Sequence, residues 1–182
     1  MSKIETSKNL GVLGGTFDPP HFGHLEIAKF AIKRLKLSSL IWAVTKQNPL
    51  KKKPFLSLKN RINLSIKITR KFKKIKVKSY DGLIKSSKTI KQIQYIKRDN
   101  KRLKIFFLMG SDSILTFHRW DKWKRIAELC SIIVFPRPGY VGKVQKCKAF
   151  KTLGAGKIQL IRSKRVNISS SKIRKNYLKY NN

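Results

Sequence analysis

Short apolar runs, each closed by turn-forming residues, alternate along this chain with segments of helical periodicity, and that alternation restricts the fold more than any single residue does. "LGVLGG" (Leu10 to Gly15), "LIWAVT" (Leu40 to Thr45), "IKVKSY", "KIFFLMG" (Lys104 to Gly110), "SIIVFP" and "KIQLI" read as strands. Between them, "HLEIAKFAIKRL" puts Leu25, Ala28, Ile32 and Leu35 on one face of a helix that begins near His24. "SLKNRINLSIKIT" opens a second helix on a serine cap, and others are predicted through "TIKQIQYIK", around "WDKWKRIAEL" and from "SSSKIRKNYLK". Residues 139–156 read as a variable stretch. Strands that alternate with helices in this way predict an α/β fold with a mainly parallel sheet and helices on both faces. At 182 residues, with no internal repeat and no linker, the chain reads as a single domain over 1–182 in which 1–8 form a loose N-terminal extension.

Sheets of this kind bind ligands where loops leave the carboxyl ends of the strands. "GGTFDPPH", "NPLKKK", "GSD" and "PRPG" each follow a predicted strand, and "ISSS" lies between the last strand and the last helix. Five segments with polar or glycine-rich chemistry therefore converge on one edge.

The first of them, extended to "GGTFDPPHFGH", is the densest. Gly14 and Gly15 leave the strand without side chains, so a ligand can approach the main chain. The segment is neither the dinucleotide fingerprint GxGxxG nor the phosphate loop GxxxxGK[ST]. Pro19 and Pro20 stiffen the loop, and Asp18 is free to bind the loop's own backbone amides. His21 and His24 flank the start of the helix, three apart around Gly23, so both rings can face one side where the helix dipole favours an anion. Two oriented imidazole donors at a helix N-terminus describe a phosphate site. No third histidine or carboxylate cluster is at hand to make it a metal site. "ISSSKIR" repeats the logic at the last helix: Ser170 or Ser171 can cap it, and Arg174 reaches a phosphate from one turn in.

A phosphate-bearing substrate also suits the charge, 44 Lys plus Arg against 8 Asp plus Glu for a formal net of +36. The basic residues are mostly Lys, spread along the chain beside abundant Ile and Asn and little Ala, a pattern that A- and T-rich codons impose on any protein. The charge is therefore read as compositional, and nucleic acid is not expected as a partner, since nucleic-acid patches cluster on one face. A basic RNA-binding protein on this scaffold is the rival reading. Cys130 and Cys147 have no CxxC spacing and read as reduced thiols. With no signal-like segment and no run long enough to span a membrane, a cytoplasmic location is expected.

"GGTFDPPHFGH" resembles the signature of the nucleotidyltransferase superfamily that carries the T/HxGH motif. "GSDSILTFHRWDKW", "RPG" and "ISSSKIR", in that order, are similar to the bacterial nicotinate-nucleotide adenylyltransferases. The resemblance runs from about Leu10 to Tyr180 and implies a Rossmann-like nucleotidyltransferase fold. It implies adenylyl transfer from ATP, accompanied by Mg²⁺, to nicotinate mononucleotide, with His21 and His24 as the catalytic donors. Gly14, Gly15, Thr16, Phe17, Lys51, Ser170, Ser171 and Arg174 would meet ATP and its phosphates; Ser171 stands where the family has Thr. Asp112 would accept from ribose hydroxyls, Trp120 would stack on the nicotinate ring, and Arg137 and the main chain of Thr89 would complete the mononucleotide site. Trp120 and Trp123, three apart, can equally be core. Lys88 and Gln92 depart from the family, which has Tyr and Thr there, and Arg61 coincides with a family position. Phosphopantetheine adenylyltransferase is the alternative within the superfamily, and a homo-oligomer is left open.

Overall fold

The computed structural model describes residues 8–137, 139–162, 170–171 and 173–174. Six strands, β1 (Asn9–Gly15), β2 (Leu37–Val44), β3 (Ile75–Lys78), β4 (Lys104–Gly110), β5 (Ser131–Phe135) and β6 (Ile158–Leu160), form one sheet in the order β3-β2-β1-β4-β5-β6. Every neighbouring pair is parallel. Through residue 162 the described helices are α1 (Phe22–Arg34), α2 (Leu58–Thr69), α3 (Thr89–Asp99), α4 (Ser111–Thr116), α5 (Trp123–Leu129), α6 (Val141–Lys146) and α7 (Lys148–Lys157), with a 3₁₀ turn at Phe117–Arg119.

Strand residues feed two cores alternately, because successive side chains point to opposite faces. Leu13, Leu40, Trp42, Leu108 and Ile133 pack with Leu25, Ala28 and Ala31 of α1 on one face. Val12, Ile41, Phe107 and Val134 pack on the other with Ile90, Ile93 and Ile96 of α3 and Ile126 of α5. The connection after β1 thus crosses to one face and that after β4 to the other. A crevice opens between adjacent carboxyl ends where the winding reverses, the usual ligand position of doubly wound sheets.

The structure refines the sequence reading in three places. The first helix begins at Phe22, which makes His21 its N-cap and His24 its third residue. Residues 111–119 hold α4 and the 3₁₀ turn, too short to show a period. The stretch 139–156 is largely helical: Val144 and Ala149 are fully buried, an anchor too sparse to stand out among the surrounding lysines. The expected serine cap is present, Ser57 Oγ accepting from Asn60 N at 3.2 Å. Apart from residue 8, the expected extension 1–8 lies outside the described residues, as do Ile168, Ser169 and most of the expected last helix; residues 170, 171, 173 and 174 are helical.

The loops at the crevice are tied by a buried arginine. Arg61 of α2 is 1% exposed, and its guanidinium donates to four carbonyls: Leu56 (3.0 Å), Thr16 (2.6 Å), Thr45 (2.7 Å) and Lys46 (2.9 Å). Asp81 does the converse, accepting from Lys46 N (2.6 Å), Thr45 Oγ1 (3.0 Å) and Ser87 Oγ (2.7 Å). The segments after β1, β2 and β3 are thereby locked to one another. Replacing Arg61 with Leu strands the four carbonyls and should lower the unfolding free energy by roughly 3 kcal/mol or more, since buried polar groups left unpaired are costly. Arg61→Lys should recover only part of it, because an ammonium cannot reproduce the fork. Urea denaturation of the three proteins checks this; an unchanged midpoint in Arg61→Leu would rule the tie out.

Candidate active site

The chain leaves β1 through residues that shape the crevice floor. Gly14 and Gly15 are the last two strand residues, and the turn itself is made by Phe17, at φ +50°. A Cβ on Gly15 would lie 3.1 Å from the Phe17 ring and one on Gly14 3.0 Å from Phe107, so the bare backbone makes room for two aromatic rings. Phe17 stacks on Trp42 with centroids 4.6 Å apart and meets His24 edge-on at 5.0 Å, fixing one side of that imidazole. The carboxylate of Asp18 turns away from its own loop and accepts from Phe55 N and Leu56 N, both at 2.8 Å.

His21 and His24 are stacked, their centroids 3.8 Å apart and their planes 28° from parallel. The main-chain N–H of His21 donates to His24 Nδ1 at 3.3 Å. Nδ1 is therefore an acceptor, which puts the proton of a neutral His24 on Nε2. The Nδ1 of His21 is buried without a partner among the described residues. Burial, with the charge of Arg137, lowers the pKa of His21 to about 4. That of His24 lies well below its usual value, through burial first and then His21, Arg137 and Lys51. Both rings are neutral at pH 7, so they offer N–H donors without having to be charged.

A cavity of about 1300 Å³ opens over these histidines. Thr16, Phe17, Lys51, Asp112 and Arg137 line it, and Ser170, Ser171 and Arg174 close it from the C-terminal segment. Arg137 N donates to the buried Ser111 Oγ at 2.8 Å, anchoring the loop after β5 to α4. Lys51 Nζ lies 3.3 Å from Asp112 Oδ2, bridging the loops after β2 and β4. Ser170 Oγ donates to Pro19 O at 2.9 Å, and Arg174 donates to the carbonyl of Asp18 and to Ser171 Oγ at 3.2 Å. A second cavity of about 400 Å³ adjoins the first through Gly14, Gly15, Thr16 and Lys51. Thr89 and Trp120 line this smaller one, where Trp120 stands edge-on to Phe107 at 6.3 Å and to Phe117 at 5.3 Å.

All the candidate site residues therefore converge on one pair of cavities, with Asp112 and Arg137 on the larger and Thr89 and Trp120 on the smaller. Sequence reasoning missed Asp81 and Ser111, whose partners are distant in the chain. It also placed the turn at the glycines rather than at Phe17.

The histidine environment fixes a pH dependence. An imidazole whose folded pKa lies below its unfolded value near 6.5 binds its proton more readily in the unfolded chain, so stability falls as pH drops through that window. For His21 the loss between pH 6.5 and about 4 should be about 3 kcal/mol. Urea titrations across this range should show a steeper decline for the native chain than for His21→Asn; equal slopes would contradict the assignment.

Residues 12–176 match the cytidylyltransferase-like family. A protein of Pelagibacter ubique named "Probable nicotinate-nucleotide adenylyltransferase" is 48% identical over 91% of this chain and 92% of its own length. One of the same name from Rhizobium johnstonii is 36% identical over 87% of this chain and 79% of its own. Among solved structures, the Plasmodium falciparum nicotinic acid mononucleotide adenylyltransferase complexed with NaAD superposes with a TM-score of 0.73 at 20% identity, covering 92% of this chain and 83% of that one. That likeness bears on the fold, and the sequence matches bear on the family. Together they establish that the chain belongs to the cytidylyltransferase-like nucleotidyltransferases and, within them, to the nicotinate-nucleotide adenylyltransferases.

Proposed function

We propose that the chain transfers the adenylyl group of ATP to the phosphate of nicotinate mononucleotide in NAD biosynthesis, with the triphosphate over His21 and His24 and the acceptor in the smaller cavity. One observation carries this reading: a basic cavity floored by two neutral imidazoles meets an aromatic cavity at Gly14, Gly15 and Lys51.

An oxygen of the acceptor phosphate attacks the α-phosphorus of ATP. A P–O bond forms there, the bond from the α-phosphorus to the bridging oxygen breaks, and its electron pair departs on pyrophosphate. A phosphate oxygen is already nucleophilic, so the chain contributes position and electrostatic stabilisation. His24 Nε2–H and the His21 ring donate to phosphate oxygens as negative charge moves toward the leaving group. The N-terminus of α1 adds the positive end of its dipole. Lys51 leaves Asp112 for the triphosphate, Arg137 and Arg174 add charge, and the hydroxyls of Ser170 and Ser171 hold the phosphate end. Asp112, freed of Lys51, accepts from ribose.

Mg²⁺ enters with ATP as part of the substrate. The acids lining the larger cavity are Asp18, Glu26 and Asp112, and Asp18 is already bound to two amides. Such a donor set suits an ion held chiefly by phosphate and water oxygens. The reading carries a cytoplasmic location with it; no helix among the described residues is long and apolar enough to cross a membrane.

Pyrophosphate release should require ATP and nicotinate mononucleotide together and should not be supported by phosphopantetheine. His24→Ala should lower kcat by roughly 10²–10³, the loss typical of one preorganised donor, with an unchanged circular dichroism spectrum. Near-full turnover in His24→Ala would remove the histidine from the mechanism.

A further inference from the structure

Two polar side chains from the start of α3 line the smaller cavity. Gln92, in the first turn of α3, is 6% exposed and lines this cavity. Its helical neighbours Ile90, Ile93 and Ile96 all face the core. A carboxamide that lines a cavity is placed to meet a ligand there. Four residues earlier, at the N-cap of α3, Lys88 lines the same cavity with its Nζ 3.3 Å from Asp121 Oδ2. The two side chains are 57% and 39% exposed. An ion pair this exposed is weak, so Lys88 can exchange Asp121 for another carboxylate with little loss.

We propose that Lys88 and Gln92 are the residues that select an acid over an amide on the acceptor's ring, an inference that rests on the adenylyl-transfer reading above. With the pyridine ring against Trp120, a ring carboxylate accepts from the Lys88 ammonium and from the Gln92 amide N–H. A ring carboxamide can still turn its carbonyl oxygen to the ammonium, but it brings no negative charge and has one acceptor oxygen where the carboxylate has two, so the ion pair and the second accepted bond are lost. Lys88 supplies the discrimination and Gln92 the orientation. Discrimination by a charge at the rim fits a site built largely from apolar walls, since apolar contact alone separates two nearly isosteric rings poorly.

The test compares kcat/KM for nicotinate mononucleotide and nicotinamide mononucleotide in the native chain, Lys88→Met and Lys88→Glu. Lys88 is exposed, so neither variant threatens the fold. The ratio favouring the acid should fall roughly 10- to 100-fold in Lys88→Met and further in Lys88→Glu, through KM for the acid, while KM for ATP stays within twofold. An unchanged ratio in both variants, with the native chain active on the acid, overturns this inference and leaves adenylyl transfer standing. Failure of the native chain to release pyrophosphate with either acceptor overturns the adenylyl-transfer reading and this inference with it.

Discussion

Four main-chain carbonyls from three separate segments meet one guanidinium, and the site depends on that meeting. Carbonyls of Thr16, Thr45, Lys46 and Leu56 are the ends of loops that would otherwise diverge from the sheet, and Arg61 holds them within 2.6–3.0 Å of its nitrogens. An arginine is needed because its fork presents several donors in fixed directions from one buried position. Asp18 and Asp81 supply the opposing charge that lets it stay buried. Because Asp18 binds the amides of Phe55 and Leu56 and Asp81 binds Lys46 and Ser87, the same cluster sets the loop that carries Lys51 and the entrance to α3. The catalytic edge is thus assembled from polar contacts between loops, over a sheet that apolar packing holds together.

The electrostatics follow from scarcity. The chain has 8 acidic residues against 44 basic ones. Asp18, Asp81, Asp112 and Asp121 all lie at the carboxyl edge of the sheet, where each is bonded to a loop amide, a hydroxyl or a lysine. The carboxylates there organise the loops, while Lys51, Lys52, Lys53, Arg137 and Arg174 line the larger cavity. Against that background the two histidines are kept neutral by burial and by their cationic neighbours. A neutral donor stacked on another neutral donor tolerates a spacing of 3.8 Å that two imidazolium ions would resist.

Much of this was legible in the sequence because it is local. The bounds of β4, the serine cap of α2 and the helix through "TIKQIQYIK" follow from period and capping within a few residues. The glycine pair and the spaced histidines marked the candidate site for the same reason, and the strand ends told which segments would converge. Long-range partners were not legible. Arg61 reads as one more charge on an amphipathic helix until the loops after β1 and β2 fold over it, and family resemblance marked its position without its role. Asp81 carries no motif, although a rare acid in so basic a chain was a usable signal. The helices over 141–157 escaped because few apolar side chains anchor them, and glycines near the end blur their period.

The central claim is that uncharged His21 and His24, with His24 protonated on Nε2, receive the triphosphate at the start of α1. Long-range ¹H–¹⁵N correlation of the three histidine rings at pH 7, without and with a nonhydrolysable ATP analogue, tests it most directly. The account predicts neutral rings for His21 and His24 in the free protein, a bare Nδ1 on His24, and shifts at both on adding the analogue while His118 stays in place. Imidazolium patterns in the free protein, or rings that ignore the analogue, would contradict it.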